Sequence, residues 1–131
     1  FTAMGLNMDG WGSNAKYPFI LGEPSASVNR TYLKLKSELM PYIYTAAQEA
    51  VTGKPLMRAM FLDDTNPYTL GKATEYQFMC GPYFLVAPIY KETRMDKQGN
   101  DIRNGIYLPE GEWVDYFNQI YTVRYRPLRR Y

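Results

Sequence analysis

The segment Asn7-Met8-Asp9-Gly10-Trp11-Gly12 places a carboxylate and an indole between glycines. Lacking a Cβ, glycine lets the backbone approach a ligand closely. A carboxylate that accepts from hydroxyls, beside an aromatic face that covers the apolar side of a ring, furnishes a sugar site. The competing reading is local: Asp9 closes an Asx-type turn and Trp11 plugs a core. Glu23, in Leu21-Gly22-Glu23-Pro24, is a candidate second carboxylate. Paired carboxylates suit glycosyl transfer, because one attacks or stabilises the anomeric carbon while the other handles the leaving-group proton. Two acids near glycines are common, so their spacing does not by itself establish that chemistry.

Other chemistries are excluded more firmly. Histidine is absent, which removes Ser-His-Asp and Cys-His mechanisms together with the commonest metal ligand. The single cysteine, Cys80, lies in an apolar run and is expected to be a buried, inert thiol. No cofactor or metal site is expected. The 15 Lys+Arg against 13 Asp+Glu leave a formal charge of +2, too little for the phosphate neutralisation on which nucleic-acid affinity depends. The longest near-apolar stretch, residues 78–90, is interrupted by Gly81, Pro82 and Pro88, so no membrane span is expected. Arg58, between Met57 and Ala59, is a costly charge to bury unless paired; Asp63 or Asp64 is its expected partner.

The elements that must position these groups fall into two kinds. Residues 1–27 are rich in glycine and proline and suggest a short strand over 1–6 followed by a long structured loop. Ser25 or Ser27 is the expected cap of a helix whose apolar stripe runs through Leu33, Met40, Ile43, Ala47 and Ala50, widened by Leu39 and Ala46. Gly53 ends it, and Pro41 should kink or divide it near Leu39. From about residue 55 the pattern changes to short apolar runs, expected as strands at 56–62, 76–79, 84–89, 106–108 and 113–117, with a tight hairpin turn over 109–112. Residues 63–67 and 96–101 are polar connections, and the Arg-rich end reads as a solvated terminus. The opening lacks an initiator Met and any signal-peptide pattern, so the chain is expected to be an excerpt of a longer one.

Three blocks then carry a resemblance. They are residues 29–62, with Asn29-Arg30-Thr31-Tyr32-Leu33 and Gly53-Lys54-Pro55-Leu56-Met57-Arg58; residues 76–90, with Met79-Cys80-Gly81-Pro82-Tyr83-Phe84; and residues 105–117, with Leu108-Pro109-Glu110-Gly111-Glu112-Trp113. In order and spacing they resemble glycoside hydrolase family 31, which contains α-glucosidases and α-xylosidases. The resemblance implies an α/β plus all-β chain: residues 1–55 form the last strand, loop and helix of a (β/α)8 barrel, and residues 56–131 form an incomplete β-sandwich domain. It also implies a retaining mechanism with two aspartates on earlier barrel strands. No residue here matches either one, so no catalytic residue is assigned and the chain alone should be inert.

Many α-glucosidases of the family carry an Arg-Asn-His motif at the last strand, with the His on the substrate sugar. The matching positions here are Leu6, Asn7 and Met8, and Met cannot donate a hydrogen bond to a hydroxyl. The form Met8-Asp9-Gly10-Trp11-Gly12 looks more like the branch of α-1,6-glucosyltransferases and related α-glucan transglycosylases. The expected substrate contacts are therefore Asp9, Trp11 and Met8, with an α-glucan or oligosaccharide as partner. The rest of the barrel, or a second copy of the chain, is the expected cover for the apolar helix face. The alternative is a non-catalytic β-rich carbohydrate-binding or structural module.

Overall fold

The computed structural model describes residues 19–97, 99, 103 and 105–117, and the backbone of 122–124. Their contacts divide into two compact units, residues 19–59 with Phe78–Val86, and Met60–Gln77 with residues from Ala87 onward.

In the first unit, helix α1 (Ser25–Glu38) and helix α2 (Met40–Ala50) are separated only at Leu39. Pro41 lies in the first turn of α2, where its missing N–H costs no helical hydrogen bond, so the expected division of the helix occurs where proline tolerates it best. Leu39 bridges the break: its N–H donates to the Leu35 carbonyl at 2.9 Å, and its own carbonyl accepts from the Ile43 N–H at 2.9 Å. Past Ala50 the chain unwinds through tighter turns to Gly53, whose φ of 98° suits only glycine without strain.

The helix entry differs from expectation. Neither Ser25 nor Ser27 caps α1; both lie inside it, behind Pro24. Glu23 supplies the acceptor instead, taking the Ser27 N–H at 3.2 Å and the Ser27 hydroxyl on the same carboxylate oxygen. A negative group before the first turn also suits the helix dipole. The stripe differs as well. Leu35 and Ala46 are the buried helix residues, whereas Leu33, Met40, Ala47 and Ala50 face solvent.

The helices share this unit with a three-stranded antiparallel sheet ordered β1 (Met57–Ala59), β2 (Phe78–Cys80), β3 (Phe84–Val86). Arg58 opposes Met79, which in turn opposes Leu85. The β2–β3 connection turns at Gly81, with φ at 64°. All three strands are shorter than the runs expected at 56–62, 76–79 and 84–89. After Ala59 the backbone coils into a 3-10 turn, Met60–Leu62, and the Met60 carbonyl accepts from the Asp63 and Asp64 N–H groups. After Val86, Pro88 has no N–H to extend a ladder.

The second unit buries Met60 and Tyr107 with Thr69, Thr74 and Gln77. Residues 106–108 are not a strand among the described elements. The Tyr107 N–H donates to Gln77 Oε1 at 2.9 Å, and its carbonyl accepts from Gln77 Nε2 at 2.8 Å. One side-chain amide thus supplies the donor and acceptor that a neighbouring strand would offer. Strand β4 (Glu112–Val114) pairs antiparallel with β5 (Thr122–Arg124), with Trp113 opposite Val123. The hairpin turn expected over 109–112 is instead a bend, crossed by a 2.9 Å hydrogen bond from Trp113 Nε1 to the Pro109 carbonyl. The run expected as a strand over 113–117 turns after Val114, where Asp115 Oδ1 accepts the Phe117 N–H at 2.9 Å.

Candidate functional site

Met8, Asp9 and Trp11, the expected substrate contacts, lie outside the described residues, as do Leu6 and Asn7. Glu23 is described, and its carboxylate is engaged in capping α1. Among the described residues no group of three or more Cys, Asp and Glu side chains is placed to hold a metal ion. No described helix is long and apolar enough to cross a membrane.

The described polar chemistry gathers in three places. In the first unit the β2–β3 turn is held by two side chains. Tyr42, from α2, donates its hydroxyl proton to the Cys80 carbonyl at 2.7 Å and accepts from the Tyr83 N–H at 3.1 Å. Its ring meets Phe84 edge-on, with centroids 5.0 Å apart. Buried Arg58 donates to the Pro55 carbonyl at 3.0 Å and to the Gly81 carbonyl at 3.1 Å. Its charge is thus met by backbone acceptors, a partner type that the sequence does not specify. Burial pushes the Tyr42 hydroxyl up from its ordinary value, against the hydrogen bond from Tyr83. Burial likewise pushes the Cys80 thiol up, which suits the inert role expected of it. A hollow among Tyr32, Leu35, Lys36, Leu39, Ile43 and Phe84 adjoins this turn. Its lining is mostly apolar.

In the second unit Asp64 Oδ2 accepts from the Tyr107 hydroxyl at 2.7 Å and from Asn66 Nδ2 at 2.9 Å. Asn66 Nδ2 also reaches the Tyr107 oxygen at 2.8 Å, while Asn66 Oδ1 accepts from the Tyr68 and Thr69 N–H groups. Tyr68 stacks on Tyr107. These groups satisfy one another, so the network fixes a loop rather than presenting a reactive acid. Residues 63–67 carry only the pattern of a polar connection; the partner of Asn66 stands 41 residues away, a pairing no local pattern announces. The third place is a stack of half-exposed aromatic rings, Tyr76 on Tyr90, with Arg103 and Lys91 over the Tyr90 ring.

Among the described residues these three places form a scaffold and a surface. Comparison with known proteins gives that scaffold its family. Residues 53–129 match the model of the glycosyl hydrolase family 31 C-terminal domain. An isomaltosyltransferase of Sporosarcina globispora is 39% identical over 66% of the chain, and alpha-glucosidase 2 of Bacillus thermoamyloliquefaciens is 32% identical over 89% of it. A family 31 dextranase of Flavobacterium johnsoniae, solved in complex with glucose, superposes over 86% of the chain with a TM-score of 0.68 and 36% identity. The chain spans 7% and 14% of the length of the two relatives and 13% of the dextranase. With the family model matched over more than half of its residues, the chain belongs to glycosyl hydrolase family 31.

Proposed function

We propose that this chain is the C-terminal portion of a retaining α-glycoside hydrolase or transglycosylase that acts on α-glucosides and α-glucan oligosaccharides. The observation that carries the reading is the family match over residues 53–129, joined to an isomaltosyltransferase, an alpha-glucosidase and a dextranase among its relatives. In this reading residues 1–55 close a (β/α)8 barrel and residues 56–131 begin the β-sandwich that follows it. The start of the family-model match at residue 53 supports a boundary near there. The nucleophile and the acid/base are aspartates on barrel strands upstream of the chain.

The chemistry proceeds through a covalent glycosyl-enzyme, released by water in hydrolysis and by a sugar hydroxyl in transfer. Asp9 accepts from substrate hydroxyls and Trp11 covers an apolar sugar face at the barrel mouth, where loops after the strands build such sites. Met8 supplies contact without a hydrogen bond, which favours substrates other than those held by an Arg-Asn-His motif. Leu33, Met40 and Tyr44 are exposed on the helices, and large apolar groups in one neighbourhood mark an interface. The rest of the barrel is their cover in the full-length protein.

The reading is tested by assaying the full-length gene product on a chromogenic α-glucoside and on maltose. Release or transfer of glucose from either is expected. A folded full-length protein that releases and transfers nothing from both contradicts the proposal.

A further inference from the structure

We propose that the Tyr76–Tyr90 stack is a surface site for a neutral α-glucan chain, separate from the barrel-mouth contacts. Tyr76 follows the 3-10 turn Lys72–Thr74, and its neighbour Gln77 is locked to the Tyr107 backbone. Tyr90 follows β3, on the extended segment whose Pro88 carbonyl accepts from Arg103 Nε at 3.3 Å. The two rings lie 3.8 Å apart at centroid with an interplanar angle of 14°. One face of Tyr90 is therefore filled by Tyr76. The Arg103 guanidinium, 5.1 Å from the Tyr90 centroid, and the Lys91 ammonium, 5.5 Å from it, must occupy the other.

Tyr90 is nevertheless 43% exposed, so what it shows to solvent is its edge and hydroxyl. Tyr76, covered on one face only, is 45% exposed and offers its outer face. The result is a flat phenol ring, backed by a second ring and two cations, with donors at its rim. A pyranose has one apolar C–H face of similar size and a rim of hydroxyls. An electron-rich ring face attracts such C–H groups, while the Tyr76 hydroxyl meets the rim. Because the stack already fixes the rings, binding costs little side-chain entropy.

The open Tyr76 face itself carries no charge and suits an uncharged ligand. A single ring binds one sugar weakly, so the useful ligand is a polymer: a chain retained at the surface raises the substrate concentration at a linked active site. This inference rests on the α-glucan reading for its choice of ligand.

Affinity electrophoresis of the full-length protein in gels with and without soluble dextran tests it. The wild type should be retarded by dextran. Tyr76→Ala should weaken the apparent dextran affinity about fivefold, the scale of one lost ring contact, while Tyr76→Phe, which keeps the face, should stay close to wild type. If Tyr76→Ala does not fold, Tyr76→Gln, an exposed polar chain without a flat face, replaces it with the same expectation. Turnover of the small chromogenic α-glucoside should be unchanged in all folded variants. Equal retardation of Tyr76→Ala and wild type, or no retardation of the wild type, overturns the site. Tyr76-dependent retardation by a folded protein without α-glucosidase activity leaves the site standing and removes the enzyme reading instead.

Discussion

Gly81 carries a constraint that no larger residue meets. Its φ is 64°, and a Cβ added there would overlap the Tyr42 hydroxyl and stand 2.8 Å from Tyr42 Cζ. Gly81→Ala therefore combines left-handed strain with overpacking against a ring, at a cost of about 3 kcal/mol. It should lower the unfolding midpoint of the full-length protein, whereas Gly53→Ala, with open space around its Cβ, should cost less. Arg58→Ala would leave the Pro55 and Gly81 carbonyls without their donor in a buried place, at roughly 3 kcal/mol. Arg58→Lys should recover only part of this, because a compact ammonium lacks the fork that reaches both carbonyls. Tyr42 adds a pH dependence. A phenol whose folded pKa lies above its unfolded value of 10.0 contributes stability that is complete below that value and lost as pH rises through the folded pKa. Thermal melts at increasing alkaline pH should therefore show a shallower decline for Tyr42→Phe than for wild type, from a lower starting point. An unchanged slope would contradict burial as the cause.

At the scale of elements, the helix pair was legible in the sequence because its signals are local: the periodic stripe, Pro41 and Gly53. Serine is the usual N-cap, so local pattern points to Ser25 or Ser27, whereas the Glu23 carboxylate reaches the Ser27 N–H only once the chain has turned. That assignment gives Glu23 a structural role. Glu23→Gln should leave turnover of the full-length protein within a few fold and lower its stability by about 1 kcal/mol. A loss of several orders of magnitude in turnover would return Glu23 to the candidate carboxylate pair. The strands were legible as apolar runs but not in length, since pairing ends where the backbone finds other partners. At Tyr107 the partner is the Gln77 side chain, 30 residues away. Only the fold reveals such a substitution. Of the candidate site, the residue types at Met8, Asp9 and Trp11 were legible, and their geometry lies outside the described residues.

Over the whole molecule, the exposed helix residues are the feature that a complete protein must answer. Val28, Leu33, Met40 and Tyr44 are all open to solvent. Such a surface drives association when its cover is absent. The isolated 131-residue chain should sediment as concentration-dependent oligomers, and a monodisperse monomer with ordered helices would contradict the idea that upstream segments cover this face. It should also lack turnover, because both catalytic aspartates are assigned to upstream strands. The central claim is that the full-length protein cleaves α-glucosidic bonds through a covalent intermediate with retention. Proton NMR of the first sugar released from an α-glucoside by that protein tests it most directly. The account predicts α-glucose, followed by slow mutarotation, or an α-linked transfer product; β-glucose as the first product, or neither release nor transfer by folded protein, would contradict it.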